Sequence, residues 1–304
     1  MTHAFFKALL FLGAGSVIHA MSDEQDMRRM GGIWKMVPVT YGLMWIGSLA
    51  LAGIPPFSGF YSKDIIIEAA YAAATPAGRF AFAVGIAAAF LTAFYSWRLL
   101  FMTFHGSPRA DEKVMAHVHE SPLVMIAPLL ALAAGAAFAG LIAYDAFVGE
   151  KMASFWGETL KVLPAHDALA RAHDVPTWVK LSPPVVAGAG ITLACVLYLL
   201  APSLPAALAE RYPRLYLFLL NKWYFDELYD RLFVRPALAL GRNLWKTGDG
   251  TLIDGLGPDG LSRAVLSAAR RVAALQTGYL YHYAFAMLIG VVGLITWYVL
   301  RQVG

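Results

Sequence analysis

The chain has 304 residues, of which 59% are hydrophobic and 14% charged. About a quarter of the residues of a soluble domain are charged, so this balance, with a mean hydropathy of +0.59, points to an integral membrane protein. The formal net charge is +4, yet no basic patch interleaved with aromatics stands out, which argues against nucleic acid; a modest basic excess in a membrane protein marks loops held on the cytoplasmic side.

A spanning helix needs about 20 mostly apolar residues. The first candidate, 2–20, lies in "MTHAFFKALLFLGAGSVIHA". A lysine ahead of an apolar core also imitates a signal peptide, but Ser16 and His19 interrupt its far end. Segment 22–36, "SDEQDMRRMGGIWKM", holds Arg28, Arg29 and Lys35. Region 37–74 is apolar but too long for one straight span at about 1.5 Å per residue, and Gly53, Pro55, Pro56 and Gly59 puncture it. Each proline removes a backbone donor and disturbs the turn before it. The region therefore reads as one discontinuous helix, 37–52, an unwound "GIPPFSG", then 59–74. A hairpin of two short helices is the alternative.

Further spans are expected over 80–104, 122–144, 183–201 and 283–300. The loop 105–121 holds Arg109 and Lys113, while 148–180 spreads its bases thinly. If 37–74 crosses once, segments 22–36, 105–121 and the base-rich 202–282 share one face, which becomes cytoplasmic. The loop at about 148–180 is then extracytoplasmic. If it crosses twice, 22–36 moves to the other side. The single broken crossing gives an all-α membrane fold of about six transmembrane helices.

Residues 202–282 are too polar to span. In "WYFDELYDRLFVRPALALGRNLWK", Phe225, Leu228, Leu232 and Phe233 recur at helical spacing, interleaved with Arg231, Arg235, Arg242 and Lys246. Such an amphipathic lateral helix is expected to lie in the interface plane, against lipid. Pro236 and the stretch "TGDGTLIDGLGPDG" would kink or interrupt it. A small cytoplasmic helical domain is the blander reading.

Ionisable groups inside spans are the informative ones, because a charge at mid-bilayer costs at least a few kcal/mol. Lys63 follows the broken turn directly, with Asp64 beside it. Unwound backbone at that depth survives only where protein covers it or water lines it, as at the ion sites of transporters. A desolvated lysine loses part of its preference for the charged form and can exchange protons as nearby charge changes. The plainer alternative is that Lys63 and Asp64 snorkel to an interface. His3 and Lys7, four residues apart, face the same way on the first helix, and histidine suits a relay near neutral pH. Glu68 and Arg98 are candidate modulating charges, although Arg98 is as well placed to snorkel. The single cysteine, Cys195, excludes an intrachain disulfide and a thiolate cluster within the chain. No metal site, GxGxxG, GxxxxGKS/T or HExxH pattern is present, so the chain shows no nucleotide, flavin or redox-centre site.

Taken together, "MTHAFFKALLFLGAGSVIHA", "DEQDMRRMGG", "GFYSKDIIIEAAY", "YSWRLLFMTFHG" and "NKWYFDELYDRLFVRP" closely resemble the antiporter-like subunit L of respiratory NADH:quinone oxidoreductase, complex I, and its mitochondrial equivalent, NADH dehydrogenase subunit 5. The resemblance covers essentially the whole chain. It implies that 1–104 ends the second antiporter-like repeat, 105–201 adds two helices, 202–282 forms the lateral segment and 283–304 closes the chain. It further implies that Lys63 is the exit-side proton carrier of the broken helix, Asp64 its adjacent acid, and His3 with Lys7 part of a central polar axis. Family members are roughly twice as long, and Met1 aligns with an internal methionine, so a C-terminal fragment lacking the first repeat is expected. The implied role is that of a translocase subunit in the bacterial inner or mitochondrial inner membrane. Its partners would be other membrane subunits, contacted partly through 202–282. FMN, iron–sulfur clusters and quinone would sit on other subunits. Two alternatives stay open: a subunit of a multisubunit Na+/H+ antiporter, and a non-pumping structural remnant.

Overall fold

The computed structural model describes residues 1–160, 162–163 and 167–303. All regular elements among the described residues are helical. They fall into two units, Met1–Arg211 and Tyr212–Gly304.

The first unit is built on α1 (Thr2–Ala20), α2 (Pro38–Ala52), α4 (Pro76–Phe104), α6 (Leu123–Phe147) and α9 (Thr177–Cys195). A π-helical turn, Val196–Leu200, prolongs α9. Helix α1 packs on α2 and α6, α2 packs on α4 and α6, and α4 packs on α9. Val17, Met21, Ile33, Met44, Trp97, Leu100 and Phe104 fill one core, and Phe6, Leu9, Leu43, Leu129 and Ala136 fill a second. In an apolar solvent helices associate through close packing rather than burial from water, so small residues mark the seams. At Gly190 on α9, an added Cβ would stand 2.5 Å from the Phe90 carbonyl oxygen of α4.

Helices α1, α4, α6, the prolonged α9 and α15 (Leu280–Val303) are long and apolar enough to cross a membrane. Helix α2 is apolar but shorter. It is followed by a turn at 53–57, two residues shorter than the unwound stretch expected, then by helix resuming at 58–59, a π-helical turn (Phe60–Asp64) and α3 (Ile65–Ala72). Ring contacts show how these pieces run. Tyr41 meets Phe104 and Trp45 meets Trp97 on α4, whereas Tyr71 meets Phe82 near its start. Helices α2 and α3 therefore follow one another antiparallel to α4. They form one interrupted helix, not a hairpin.

Several boundaries differ from the sequence expectation: α6 runs to Phe147 rather than 144, α15 covers Leu280–Val303 rather than 283–300, and the starts of α4 and α9 move most. Helix α4 starts at Pro76 rather than 80, because Thr75 caps it by accepting from the Gly78 N–H at 3.0 Å. Helix α9 starts at Thr177 rather than 183 and runs through Pro183 and Pro184. Proline at 183 takes away the N–H that would serve the Val179 carbonyl. The Ser182 hydroxyl donates there instead, at 2.8 Å. Of the loop expected at about 148–180, the described part carries the short helices α7 (Met152–Trp156) and α8 (Ala168–Ala172); positions 161 and 164–166 of that loop lie outside the described residues.

The "DEQDMRRMGG" loop is tied to the end of α4. Asp26 caps a short 3-10 turn, Met27–Arg29, and the Arg28 side chain holds its carboxyl down at about 2. That contribution is full above the ordinary carboxylate range and is lost as pH falls through about 2. The Arg109 guanidinium donates to the carbonyls of Arg28, Met27 and Met102, at 3.0, 3.1 and 2.5 Å. Gly32 and Trp34 donate their N–H groups to the His105 and Phe104 carbonyls. Helix α5 (Glu112–His117) follows on the next loop.

The second unit begins with α11 (Pro213–Leu220), which follows α10 (Ser203–Arg211) of the first. Left-handed backbone at Lys222, Trp223 and Tyr224 breaks the chain. From Phe225 to Leu256 it is then helical without interruption, as α12 (Phe225–Tyr229), a π turn (Asp230–Val234), α13 (Arg235–Asn243) and a longer π segment (Leu244–Asp254). Helix α14 (Pro258–Ala273) follows, and α15 closes the chain with none of its residues buried. The kink expected at Pro236 is taken up by the π turn just before it, and the stretch "TGDGTLIDGLGPDG" stays helical to Leu256 and is interrupted at Gly257, ahead of α14. A π turn leaves one carbonyl without its α-helical partner, which is what the missing proline N–H requires.

Replacing Arg109 by Ala is expected to raise amide hydrogen exchange over Met27–Trp34 by about tenfold or more, since several hydrogen bonds to charge are lost. Exchange in α1 and α4 should hold. Exchange-mass spectrometry in detergent reads both, and unchanged rates in the loop would remove the clamp.

Candidate functional site

Helix α2 ends where Gly53 turns left-handed (φ 76°, ψ 36°). Its N–H reaches back to the Ala50 carbonyl and that of Ile54 reaches the Leu49 carbonyl, both at 3.1 Å. This termination favours glycine, which has no Cβ to clash. The Pro55–Pro56 bond is cis. Gly59 then lies against the Ala50 carbonyl so closely that any side chain there would overlap it. The helix that resumes at 58–59 continues as a π turn that carries Lys63 and Asp64.

Lys63 folds back over this turn and donates its Nζ to the Ala52 carbonyl. The end of a helix carries partial negative charge, so an ammonium is favoured there. Asp64 is 3% exposed, and neither carboxyl oxygen has a hydrogen-bond partner among the described residues. The two side chains form no direct ion pair, but both border Gly53: a Cβ there would lie 2.6 Å from Lys63 Nζ and 3.4 Å from Asp64 Oδ1. A basic group, a shielded acid and a freed backbone carbonyl thus meet at the break.

Ser58 secures this turn from the other side. Its fully buried hydroxyl donates to the Gly135 carbonyl at 2.9 Å and accepts from the Gly140 N–H at 2.8 Å, both on α6. Gly140 permits the contact, since a Cβ there would come 2.6 Å from Ser58 Cα. Thr2, at the start of α1, donates to Ser62 Oγ at 2.8 Å.

The remaining sequence candidates are spread around this centre. His3 and Lys7 share a face of α1, but both are exposed on this chain, and His3 stacks edge-on with Phe6. Lys7 lines a cavity of about 210 Å3 with Met44, Ser48, Tyr95 and Ser96. No hydrogen bond or ion pair joins either to Lys63 or Asp64 among the described residues. Glu68 is half-buried one turn beyond Asp64, with Lys180 and His173 as its charged neighbours. Arg98 bonds the Tyr198 hydroxyl at 2.9 Å and approaches Met27, which makes it a link from α4 to the prolongation of α9, away from Lys63. No group of three His, Cys, Asp or Glu among the described residues is arranged to hold a metal ion.

Comparison with known proteins gives this geometry its relatives. Residues 1–92, which contain the broken helix, match the family model NADH:quinone oxidoreductase/Mrp antiporter, TM, and residues 172–298 match NADH dehydrogenase subunit 5 C-terminus. The chain is 44% identical to NADH-quinone oxidoreductase subunit L of Rhodobacter capsulatus, over 98% of this chain and 51% of that protein. It is 42% identical to NADH-ubiquinone oxidoreductase chain 5 of Arabidopsis thaliana, over 98% of this chain and 45% of the relative. The chain belongs to the subunit L and chain 5 family. It spans about half the length of these relatives, matching their C-terminal half. A membrane fold with an antiporter-like region and a subunit 5 tail is therefore its family's, and 93–171, which lie between the two matched regions, supply α6 and the Ser58 seat.

Sequence reading missed three partners. The Ala52 carbonyl leaves no trace in residue type, since every residue has one. Ser58 was visible only as part of an unwound stretch. Glu120, in the loop before α6, hydrogen-bonds the start of α2 across about eighty residues of sequence; an acid just ahead of "SP" and an apolar run was its only signal.

Replacing Gly53 by Ala combines an unfavourable φ with a Cβ pressed on Lys63. A loss of about 1–3 kcal/mol is expected, read as a lowered Tm in detergent. Gly42→Ala on the same helix, which meets open space, should move Tm by no more than about 2 °C. Equal behaviour of the two variants would refute the tight fit.

Proposed function

We propose that this chain serves as a membrane subunit of a proton-translocating NADH:quinone oxidoreductase, and that Lys63 is its proton carrier. The observation that supports this is the break itself: a lysine at the interruption of an apolar helix, bonded to the freed Ala52 carbonyl beside a buried acid with no hydrogen-bond partner among the described residues. A charge held this way is sensitive to its neighbours. When negative charge nearby is present, the ammonium form is favoured; when that charge moves or is neutralised, the proton is released. Redox steps on other subunits, which would carry FMN, iron–sulfur clusters and quinone, would supply the charge movement. Asp64 is the adjacent acid that sets the field, and Glu68 a more distant one. His3 and Lys7 would continue the relay along the outward face of α1. Arg98, bonded to Tyr198, is read as a structural link.

The Lys and Arg distribution places 22–36, 105–121 and 202–282 on the cytoplasmic side of a bacterial inner or mitochondrial inner membrane. The amphipathic second unit would lie along that face against neighbouring membrane subunits and lipid. The broken-helix model is described for Mrp antiporters as well as for the oxidoreductase. The subunit 5 match over 172–298 favours the oxidoreductase, and copurification with NADH-oxidising subunits distinguishes the two.

Replacing Lys63 by Met in the assembled complex should lower the rate of coupled proton translocation by about an order of magnitude or more, the scale on which a positioned proton-transfer group is felt. Proton uptake in reconstituted vesicles, normalised to NADH oxidised, reads this. Normal translocation by a correctly assembled variant would sink the relay and leave a structural role.

A further inference from the structure

Helix α2 begins with Pro38, and its own N-cap residue, Val37, offers no side-chain acceptor. The free N–H groups of its first turn are served from elsewhere. Glu120 Oε2 accepts from the backbone of Val39 at 2.8 Å and of Thr40 at 3.2 Å. Glu120 Oε1 accepts from Thr40 Oγ1 at 2.5 Å and from its neighbour Ser121 N at 3.2 Å. Behind the carboxylate, Ser16 Oγ on α1 lies 2.9 Å from Thr40 Oγ1 and donates to Ser121 Oγ at 2.6 Å. Ser16, Thr40 and Ser121 are all buried. One polar cluster therefore binds α1, the start of α2 and the approach to α6.

The two ends of α2 are held by opposite charges. A carboxylate sits on its amino end and the Lys63 ammonium on the carbonyl of Ala52 at its carboxyl end, each matching the sign that the helix dipole favours. Between them runs a rod of fifteen residues, about 22 Å long. The carboxyl end is followed by the unwound 53–57, and Ser58, where the helix resumes, ties the break to α6. The amino end is the one held from outside the interrupted helix, by Glu120 in the loop before α6. Where α2 stands along its axis decides where the Ala52 carbonyl stands, and so whether Lys63 reaches it.

We propose that Glu120 is a positioning residue for Lys63: it fixes α2 axially through the Val39 and Thr40 N–H groups and so keeps the Ala52 carbonyl in place for the lysine. The inference rests on the reading of Lys63 as the proton carrier. It does not make Glu120 part of the relay, because its hydrogen bonds run to backbone and hydroxyls at the far end of the helix.

The test uses the assembled complex with Glu120→Gln, which keeps the side-chain shape and drops the charge, and Glu120→Ala, which removes the acceptors. The direct readout is labelling of Lys63 by a membrane-permeant amine reagent, quantified by peptide mass spectrometry against the exposed Lys151. Labelling of Lys63 should rise about two- to fivefold in E120Q, the size of a helix-terminus charge effect, and more in E120A, with Lys151 unchanged. Coupled translocation should fall in the same order. Unchanged Lys63 labelling in assembled E120Q would overturn the proposal, as would an equal rise at Lys151, which would mean general loosening. If E120A does not assemble, E120Q alone decides. A Lys63→Met arm, read by translocation only, reports separately on the relay: its failure leaves the labelling result to stand or fall by itself.

Discussion

The hydrogen bond from Lys63 to the Ala52 carbonyl is the contact on which the interrupted helix depends. Away from water, each backbone polar group must find a partner within the protein, and a helix that stops part-way through leaves its last carbonyls without one. Gly53 closes part of that deficit by turning back on Ala50, and the lysine closes another part with its own side chain. Ser58 closes the seam against α6. The group that would carry the proton is thus also a structural plug. Its deprotonated form keeps a nitrogen donor near the carbonyl but loses the charge that the helix end favours, so a change in protonation is felt directly by the geometry of the break.

Asp64 makes the arrangement expensive. A carboxyl buried with no hydrogen-bond partner forgoes a stabilisation of about 1–3 kcal/mol even when neutral, and more when charged. Such a cost persists where surrounding structure over-determines it. Here the surroundings do so: α3 packs on α4 and α8, and the turn before it is stapled to α6. His3 and Lys7 are exposed on α1, and Lys7 borders a cavity that α2 and α4 close on one side through Met44, Ser48, Tyr95 and Ser96.

Much of this was readable in the residues, for identifiable reasons. Spans follow from apolar length, and the interruption follows from Gly53, Pro55, Pro56 and Gly59, because these residues restrict the backbone locally. Lys63 and Asp64 stood out because charge is costly in an apolar run. What stayed hidden depends on partners distant in sequence or on groups common to all residues. The start of α9 lies ahead of Pro183 and Pro184, which look like a helix beginning, and the Ser182 hydroxyl serves the Val179 carbonyl that Pro183 leaves free. The Glu120 cap is a contact across about eighty residues. The in-line run of α2 and α3 is the single broken crossing that the loop charges favour, and Tyr41, Trp45 and Tyr71 lie along α4 in that order.

The second unit meets the same backbone problem within a single helical run. Its apolar positions Leu228, Leu232 and Phe233 recur at helical spacing into the π turn at 230–234, which holds one residue more than an α-helical turn. In a straight α-helix one surplus residue rotates everything beyond it by about 100°, which would turn the apolar stripe away from its surface. A π turn takes up the surplus residue within the turn, and the Asp230–Arg235 pair, five apart and joined at 2.6 Å, reports that register. Pro236 is accommodated in the same way. Its missing N–H falls where the turn has already given up an α-helical hydrogen bond.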